Sequence, residues 1–138
     1  MAGFKTPSTP KDQAPTGPLA GLKALVIEDD ALIAQALQNT LEQAGAAAVA
    51  LYDSVSEAIG ELRDAGPDII ILDSQVSDRS DGWAVAELVQ QLSLKKCAIL
   101  FATGSPEAVP PHVAALGAVV EKPYTPEQII GAIMALLD

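Results

Sequence analysis

The sequence has very little cysteine and few aromatic residues. The single Cys97 cannot form an intrachain disulfide, which excludes a disulfide-stabilised scaffold and fits a reducing compartment. Aromatic residues make up 4% of the chain and apolar residues 49%, so the interior must consist mainly of Ala, Val, Ile and Leu. We therefore expect a globular protein of the cytoplasm.

Basic residues and long apolar runs are also scarce. The chain has 8 Lys and Arg against 18 Asp and Glu, for a net charge of −10, and the basic residues form no cluster. Nucleic-acid binding requires a basic surface that neutralises phosphates. No run approaches the ~20 apolar residues that cross a bilayer, and the N-terminus lacks the apolar stretch of a signal peptide. We expect neither a nucleic-acid nor a membrane partner; such a chain suits a metal ion or a basic protein surface.

The first twenty residues differ in composition from the rest. Pro7, Pro10, Pro15 and Pro18 lie there among Ser, Thr and Gly, with almost no large apolar side chains. Such a segment buries too little surface to offset the entropy of ordering it. The prediction is a disordered tail over residues 1–20 and one domain over residues 21–138.

Within that domain, short apolar runs alternate with segments of helical period. Near-continuous apolar runs of this length are typical of strands buried on both faces. The pattern βα repeated five times predicts an α/β fold, a doubly wound parallel sheet with helices on both faces. The fourth helix is predicted to be short, since Pro110 and Pro111 leave only about residues 111–116 for it, with Gly104–Val109 as a loop before it. The predicted strands are Ala24–Ile27, Ala46–Leu51, Ile69–Leu72, Ala98–Ala102 and Ala118–Val120.

Local signals mark the helix boundaries. Asp30 is interpreted as the N-cap of the first helix rather than as a metal ligand. Ser54 with Glu57, and Thr125 with Gln128, have the spacing of capping boxes. Gly45, Gly66 and Gly117 occupy positions where helices should end.

Polar residues follow four of the five predicted strands. Glu28-Asp29-Asp30 follows the first, Asp73 the third, Thr103 the fourth and Glu121-Lys122 the fifth. In open α/β sheets the ligand site lies beyond the carboxyl ends of the strands, where the strand order reverses. For the order 2-1-3-4-5 this point lies between the first and third strands, which brings Glu28, Asp29 and Asp73 together.

Three neighbouring carboxylates need compensation, either by keeping some of their protons or by holding a cation. A like-charge pair at ~4 Å repels by about 4 kcal/mol at an effective dielectric constant near 20. Mg²⁺ would relieve this repulsion, because it is usually held by one or two carboxylates and waters and leaves positions for phosphate oxygens. One carboxylate could then act as a nucleophile toward phosphorus. Lys122 would offset charge on the transferring group, and the hydroxyl of Thr103 would donate a hydrogen bond to it.

These residues resemble the receiver domains of bacterial two-component response regulators. The resemblance covers about residues 22–138. It implies a flavodoxin-like (βα)₅ fold that accepts a phosphoryl group from a sensor histidine kinase or a histidine phosphotransfer protein. It is carried by Ala24–Asp30, Pro67–Asp73, Ala102-Thr103-Gly104 and Glu121-Lys122-Pro123-Tyr124.

Carried over by position, the family pattern assigns roles to individual residues. Glu28 and Asp29 would be metal carboxylates, the backbone carbonyl of Gln75 a further ligand, and Asp73 the phosphorylated ligand. The resemblance also implies a cis bond between Lys122 and Pro123. It further implies that the first helix docks on the kinase; Gln38 is expected on its exposed polar side.

Some positions depart from the usual family pattern. Ser77 replaces a Pro, Gly82 comes one residue late, and Val119 stands where a switching Tyr or Phe is usual. Together with Phe101-Ala102-Thr103-Gly104 this is similar to the alphaproteobacterial "FAT GUY" subset, although that subset's next aromatic residue is absent. We expect a stand-alone regulator that is a monomer or weak homodimer.

Two other classes of function were compared with this one. A receiver-like interaction module that is not phosphorylated would not need its acidic residues, Thr103 and Lys122 intact. An enzyme on the same fold would need other motifs: a second Asp at position 75, which is Gln, or a glycine-rich phosphate loop after the first strand. The sequence therefore favours a phosphoacceptor that is not a true enzyme.

Overall fold

The computed structural model describes residues 4–5, 17–73 and 97–137, and the statements below concern these residues. The segment predicted for the third helix lies between residues 73 and 97, outside the described residues. The elements in chain order are β1 (Phe4–Lys5), β2 (Lys23–Ile27), α1 (Ala31–Gln43), β3 (Ala48–Tyr52), α2 (Val55–Ala65), β4 (Ile69–Asp73), β5 (Ala98–Thr103), a 3₁₀ turn (Pro106–Ala108), α3 (Pro111–Ala114), β6 (Ala118–Glu121) and α4 (Pro126–Leu137).

The predicted α/β fold is confirmed. Strands β2 to β6 pair in parallel, and the sheet order is β1-β3-β2-β4-β5-β6. Without β1, this is the predicted order 2-1-3-4-5 of the flavodoxin-like fold. The order reverses between β2 and β4, which lie side by side although β3 comes between them in the chain.

Helices cover both faces of the sheet, because successive side chains of a strand point into two different cores. Leu25 and Ile27 of β2 point to one core, and Ala24 and Val26 point to the other. Helices α2 and α3 contribute to the first core, while α1 and α4 contribute to the second. Every residue of β4 and β5 is buried. The continuous apolar runs thus reflect burial on both faces.

Helix ends follow the predicted signals. At the start of α4, the Gln128 N–H donates to Thr125 Oγ1 at 3.1 Å and the Thr125 N–H donates to Gln128 Oε1 at 2.7 Å, which completes the box. Ser54 caps α2, and Gly66 ends it in the left-handed conformation, with φ of 59°. Gly117 is required for another reason, because a Cβ there would overlap the Ile99 carbonyl oxygen.

The structure differs from the expectations in three places. Within the segment predicted to be disordered, Phe4–Lys5 forms a strand on β3, and Leu19 is fully buried in the core that includes α1. The division into domains at residue 21 stays a prediction. Pro106–Ala108, predicted as loop, is a 3₁₀ turn. Gln38 is buried, with 7% of its surface exposed, and its amide bonds Gln35 and Glu42.

The short fourth predicted helix corresponds to α3, which has a single turn, Pro111–Ala114. In the part of the chain that the structure describes, no helix combines the length and the apolar character needed to span a bilayer.

Candidate functional site

The candidate site lies at the carboxyl ends of β2 and β4. In the sheet Ile27 pairs with Leu72, so the residues that follow them, Glu28 directly after β2 and Asp73 at the end of β4, lie beside each other. Carboxylate oxygens of Glu28, Asp29 and Asp73 lie within 4.8 Å of one another. The predicted acidic cluster is therefore present.

The three carboxylates differ in their exposure to solvent. Glu28 and Asp73 are buried, with 4% and 1% of their surfaces exposed, whereas Asp29 is exposed.

The neighbouring Asp30 caps a helix. Its Oδ1 accepts the N–H groups of Leu32 at 2.9 Å and Ile33 at 3.2 Å, so it is the N-cap of α1.

Lys122 provides positive charge at the cluster. It directly follows β6, and its backbone N–H donates to the Thr103 carbonyl at 2.8 Å, which fixes the chain at the end of β5. Its Nζ forms an ion pair with Asp73 Oδ1 and lies 3.9 Å from Glu28 Oε1. The Lys122–Pro123 peptide bond is cis, as the family resemblance implied.

Electrostatics keep Glu28 from ionising easily. Burial is the largest cause and, together with the negative charge of Asp73, raises the pKa of the Glu28 carboxyl from 4.5 to about 7. The Asp30 N–H, which donates to Glu28 Oε2 at 3.1 Å, and Lys122 oppose this rise. Without a metal ion, the Glu28 carboxyl is therefore partly protonated near neutral pH.

The hydroxyl of Thr103 faces this end of the sheet. Thr103 ends β5, one residue beyond the position that pairs with Asp73, and only 2% of its surface is exposed. Its Oγ1 accepts the N–H of Ser105 at 2.9 Å. Since that lone pair is taken by a donor, the hydroxyl proton remains available for an acceptor such as a phosphoryl oxygen. Among the described residues, a Cβ built at Gly104 would meet nothing within 4 Å.

Tyr124 is part of the site in a way that its sequence pattern alone did not reveal. Its hydroxyl oxygen is buried and has no hydrogen-bond partner among the described residues. Burial, then the charges of Glu28 and Asp73, raise the pKa of Tyr124 to about 12. The Lys-Pro-aromatic signature placed an aromatic ring here, but only the fold shows that its hydroxyl lies near the acidic cluster.

The donor set fits Mg²⁺. Hard oxygen ligands from carboxylates suit this ion, and two of the three carboxylates are buried where uncompensated charge is costly. The pKa of Glu28 is raised for the same reason, because a proton on the carboxyl also removes a buried negative charge. Gln75, predicted to add a backbone carbonyl, lies outside the described residues.

A groove of about 480 Å³ opens beside the cluster. It runs between the start of α1 and the segment after β6, so Lys122 lies at the boundary between groove and acidic cluster. Leu32, on the α1 side, has 83% of its surface exposed. The lining residues are Leu32, Ile33, Ala36, Lys122, Pro123 and Tyr124.

Comparison with known proteins agrees with this geometry. Residues 24–134 match the family described as response regulator receiver domain. The chain belongs to this family. Receiver domains are phosphoacceptor signalling modules of two-component systems rather than catalytic enzymes, their acidic cluster is the typical Mg²⁺ site, and histidine kinases are their partners.

Individual receiver proteins show the same relationship. Protein PilG of Pseudomonas aeruginosa is 27% identical over 121 residues, covering 83% of this chain and 87% of PilG. Chemotaxis response regulator CheY4 of Vibrio cholerae superposes with a TM-score of 0.69 at 28% identity, covering 83% of this chain and 98% of CheY4. Sensory transduction protein LytT of Bacillus cereus is 35% identical over 83 residues, 59% of this chain, and the match spans only 33% of LytT.

Proposed function

We propose that this receiver accepts a phosphoryl group on Asp73 in a Mg²⁺-dependent reaction with a histidine kinase or histidine phosphotransfer protein. The observation that carries the proposal is the arrangement around Asp73. Its buried carboxylate is paired with the Lys122 ammonium and lies within 4.8 Å of the carboxylates of Glu28 and Asp29.

Each residue has a definite part in the transfer. A carboxylate oxygen of Asp73 attacks phosphorus, the bond from phosphorus to the donor imidazole nitrogen breaks, and that nitrogen keeps the electron pair and takes a proton. Bound Mg²⁺ would neutralise phosphoryl oxygens. Glu28, Asp29 and Asp73, with the Gln75 carbonyl, would hold it.

Lys122 and Thr103 would stabilise the product. The Lys122 ammonium already lies against Asp73 and can form an ion pair with a phosphoryl oxygen after the transfer. The Thr103 hydroxyl accepts the Ser105 N–H through an oxygen lone pair, so its proton can still be donated to a phosphoryl oxygen. The same constellation would support later hydrolysis of the aspartyl-phosphate.

Mass spectrometry of the intact chain tests this proposal. With acetyl phosphate and Mg²⁺ we expect the chain to gain the mass of one phosphoryl group, and Asp73→Asn to gain none. Asp53→Asn is a matched control, since Asp53 lies in the turn after β3 and is exposed; it should be labelled like the wild type. An unmodified wild-type chain would instead favour the interaction module that is not phosphorylated.

The groove beside the acidic cluster is the proposed docking site for the phosphohistidine partner. An exposed leucine in a largely apolar groove is typical of the core of a protein interface. Docking there would bring a partner histidine up to Lys122 and the acidic cluster. Because Gln38 is buried and bonded within α1, Leu32 is a better probe of docking than Gln38.

A comparison of two phosphodonors tests this docking site. Leu32→Ala should slow transfer from a purified phosphorylated histidine phosphotransfer protein by about tenfold or more, the cost of one well-packed interface side chain. Labelling by acetyl phosphate should not change. Met134→Ala, at an exposed apolar position on α4, serves as the control. Equal loss with both donors would contradict docking at Leu32.

Finer features of the regulator stay predictions from the sequence. They are a stand-alone, cytoplasmic protein, a monomer or weak homodimer, and signalling by protein contact or by draining phosphate from a kinase. The similar proteins named above do not support membership in the FAT GUY subset. That assignment has only the motif Phe101-Ala102-Thr103-Gly104 and Val119 in its favour.

A further inference from the structure

An N-terminal strand covers the edge of the parallel sheet. Strand β3 lies at one edge of the five parallel strands, and β1 pairs with it in antiparallel fashion. Phe4 lies opposite Ala50, and Lys5 lies opposite Val49. The parallel sheet therefore does not end in an open β3 edge where β1 lies.

The chain that follows is fixed to the domain at a second point. Leu19 is fully buried in the core formed with α1, and its N–H donates to the Ala44 carbonyl at 2.8 Å. Ala44 is the C-cap of α1, so this bond satisfies a carbonyl at the helix end. Gly17, with φ of 119°, passes so close to Ala44 that a Cβ would overlap the Ala44 carbonyl. Gly17 and Leu19 are thus held against the end of α1.

The composition of β3 explains why a cover is needed. Its sequence, Ala48–Tyr52, contains no charged residue and no proline, the two features that most often prevent an edge strand from pairing with another chain. An antiparallel pair of two β3 strands centred on Ala50 would place no like charges opposite each other within the strands. In the sequence, the covering strand itself contains the charged residue Lys5, and Pro7 follows two residues later.

We propose that Phe4–Lys5, together with the buried Leu19, acts as an intramolecular cover that prevents β3 from pairing with β3 of a second copy of this chain. The cover has two parts, the strand Phe4–Lys5 on the edge and the Leu19 anchor at the end of α1. It acts on the side of the sheet away from β5 and β6, and it does not depend on the proposed phosphorylation.

Proline substitutions in the full-length chain test the cover. The double variant Phe4→Pro, Lys5→Pro removes both N–H donors of β1, whereas Phe4→Ala, Lys5→Ala keeps them and serves as the matched control. In sedimentation velocity, the wild type and the alanine control should remain monomeric. The proline variant should form dimers with a dissociation constant at least about tenfold lower than any value for the wild type, as expected for a freed strand edge.

Two further measurements make the result decisive. Hydrogen exchange should show faster exchange of β3 amides in the monomeric proline variant, and adding Ala48→Glu to that variant should abolish the dimer by placing charge on the freed edge. Labelling by acetyl phosphate confirms that each variant retains an intact site. A proline variant that remains monomeric, a wild type that dimerises equally well, unchanged β3 exchange, or a dimer insensitive to Ala48→Glu would each overturn the proposal.

Discussion

Replacing Glu28 by Gln tests the electrostatic description of the site. The wild-type carboxyl is buried beside Asp73, and its pKa is raised from 4.5 to about 7. Gln has nearly the same shape, and its carbonyl oxygen can still accept the Asp30 N–H, but it cannot ionise. The variant therefore removes the buried charge while keeping the local hydrogen bond.

The size and the sign of the effect follow from proton linkage. A pKa that rises from 4.5 to about 7 corresponds to about 3 kcal/mol of differential stability. The folded chain binds the proton more tightly than the unfolded chain, so this stabilisation is complete below the unfolded pKa and is lost as the pH rises through about 7. Without metal, Glu28→Gln should be more stable than the wild type by about 3 kcal/mol at about pH 8, and similar to it at about pH 4.

Urea unfolding in the presence of a chelator, repeated across this pH range, measures the difference. Adding Mg²⁺ at the higher pH should then stabilise the wild type and have much less effect on the variant, because ligand binding stabilises the folded state only where the site is intact. Profiles of stability against pH that run parallel for the two proteins without metal would refute the reasoning, since they would mean that folding does not raise the pKa of Glu28.

Three further substitutions test other parts of the structure. Lys122→Ala should lower the free energy of unfolding by about 3 kcal/mol in metal-free urea titrations, because it leaves buried carboxylates without their ammonium partner; an unchanged value would contradict the ion pair. Asp30→Ala should lower the free energy of unfolding by about 1 kcal/mol, because α1 loses its N-cap. The Mg²⁺ affinity measured by calorimetry should stay unchanged, whereas it would fall if Asp30 were a metal ligand. Gly117→Ala should destabilise the fold by about 1–3 kcal/mol, because the added Cβ meets a strand carbonyl. Gly131→Ala, at a helix position with open space, should stabilise the fold by about 0.5–1 kcal/mol in thermal unfolding. A Gly117→Ala variant that is more stable than Gly131→Ala would contradict the packing.

The sheet and the acidic cluster were predictable because both depend on local patterns. Strands buried on both faces read as apolar runs, and the residue that follows each run marks the edge of the sheet. Once the strand order is fixed, Glu28 and Asp73 must be neighbours, since Ile27 and Leu72 pair. The N-cap role of Asp30 was likewise visible in the sequence.

Features that depend on long-range contacts were not predictable from patterns. The burial of Leu19 and the pairing of Phe4 with Ala50 involve partners distant in the sequence, so composition alone indicated disorder. Gln38 has the helical position of a surface residue, but tertiary packing buries it. The exposure of Leu32 in the groove was not predictable either, because helical periodicity does not tell which side of a helix end remains uncovered by the rest of the fold.

Locating the acyl phosphate on the chain tests the central claim most directly. After incubation with acetyl phosphate and Mg²⁺, borohydride reduction converts a phosphorylated aspartate to homoserine, and peptide sequencing by mass spectrometry identifies its position. We predict homoserine at position 73, with none when a chelator replaces Mg²⁺. Homoserine at Asp29 or Asp30 instead, or an unmodified Asp73 in the presence of Mg²⁺, would contradict the assignment of the phosphoacceptor.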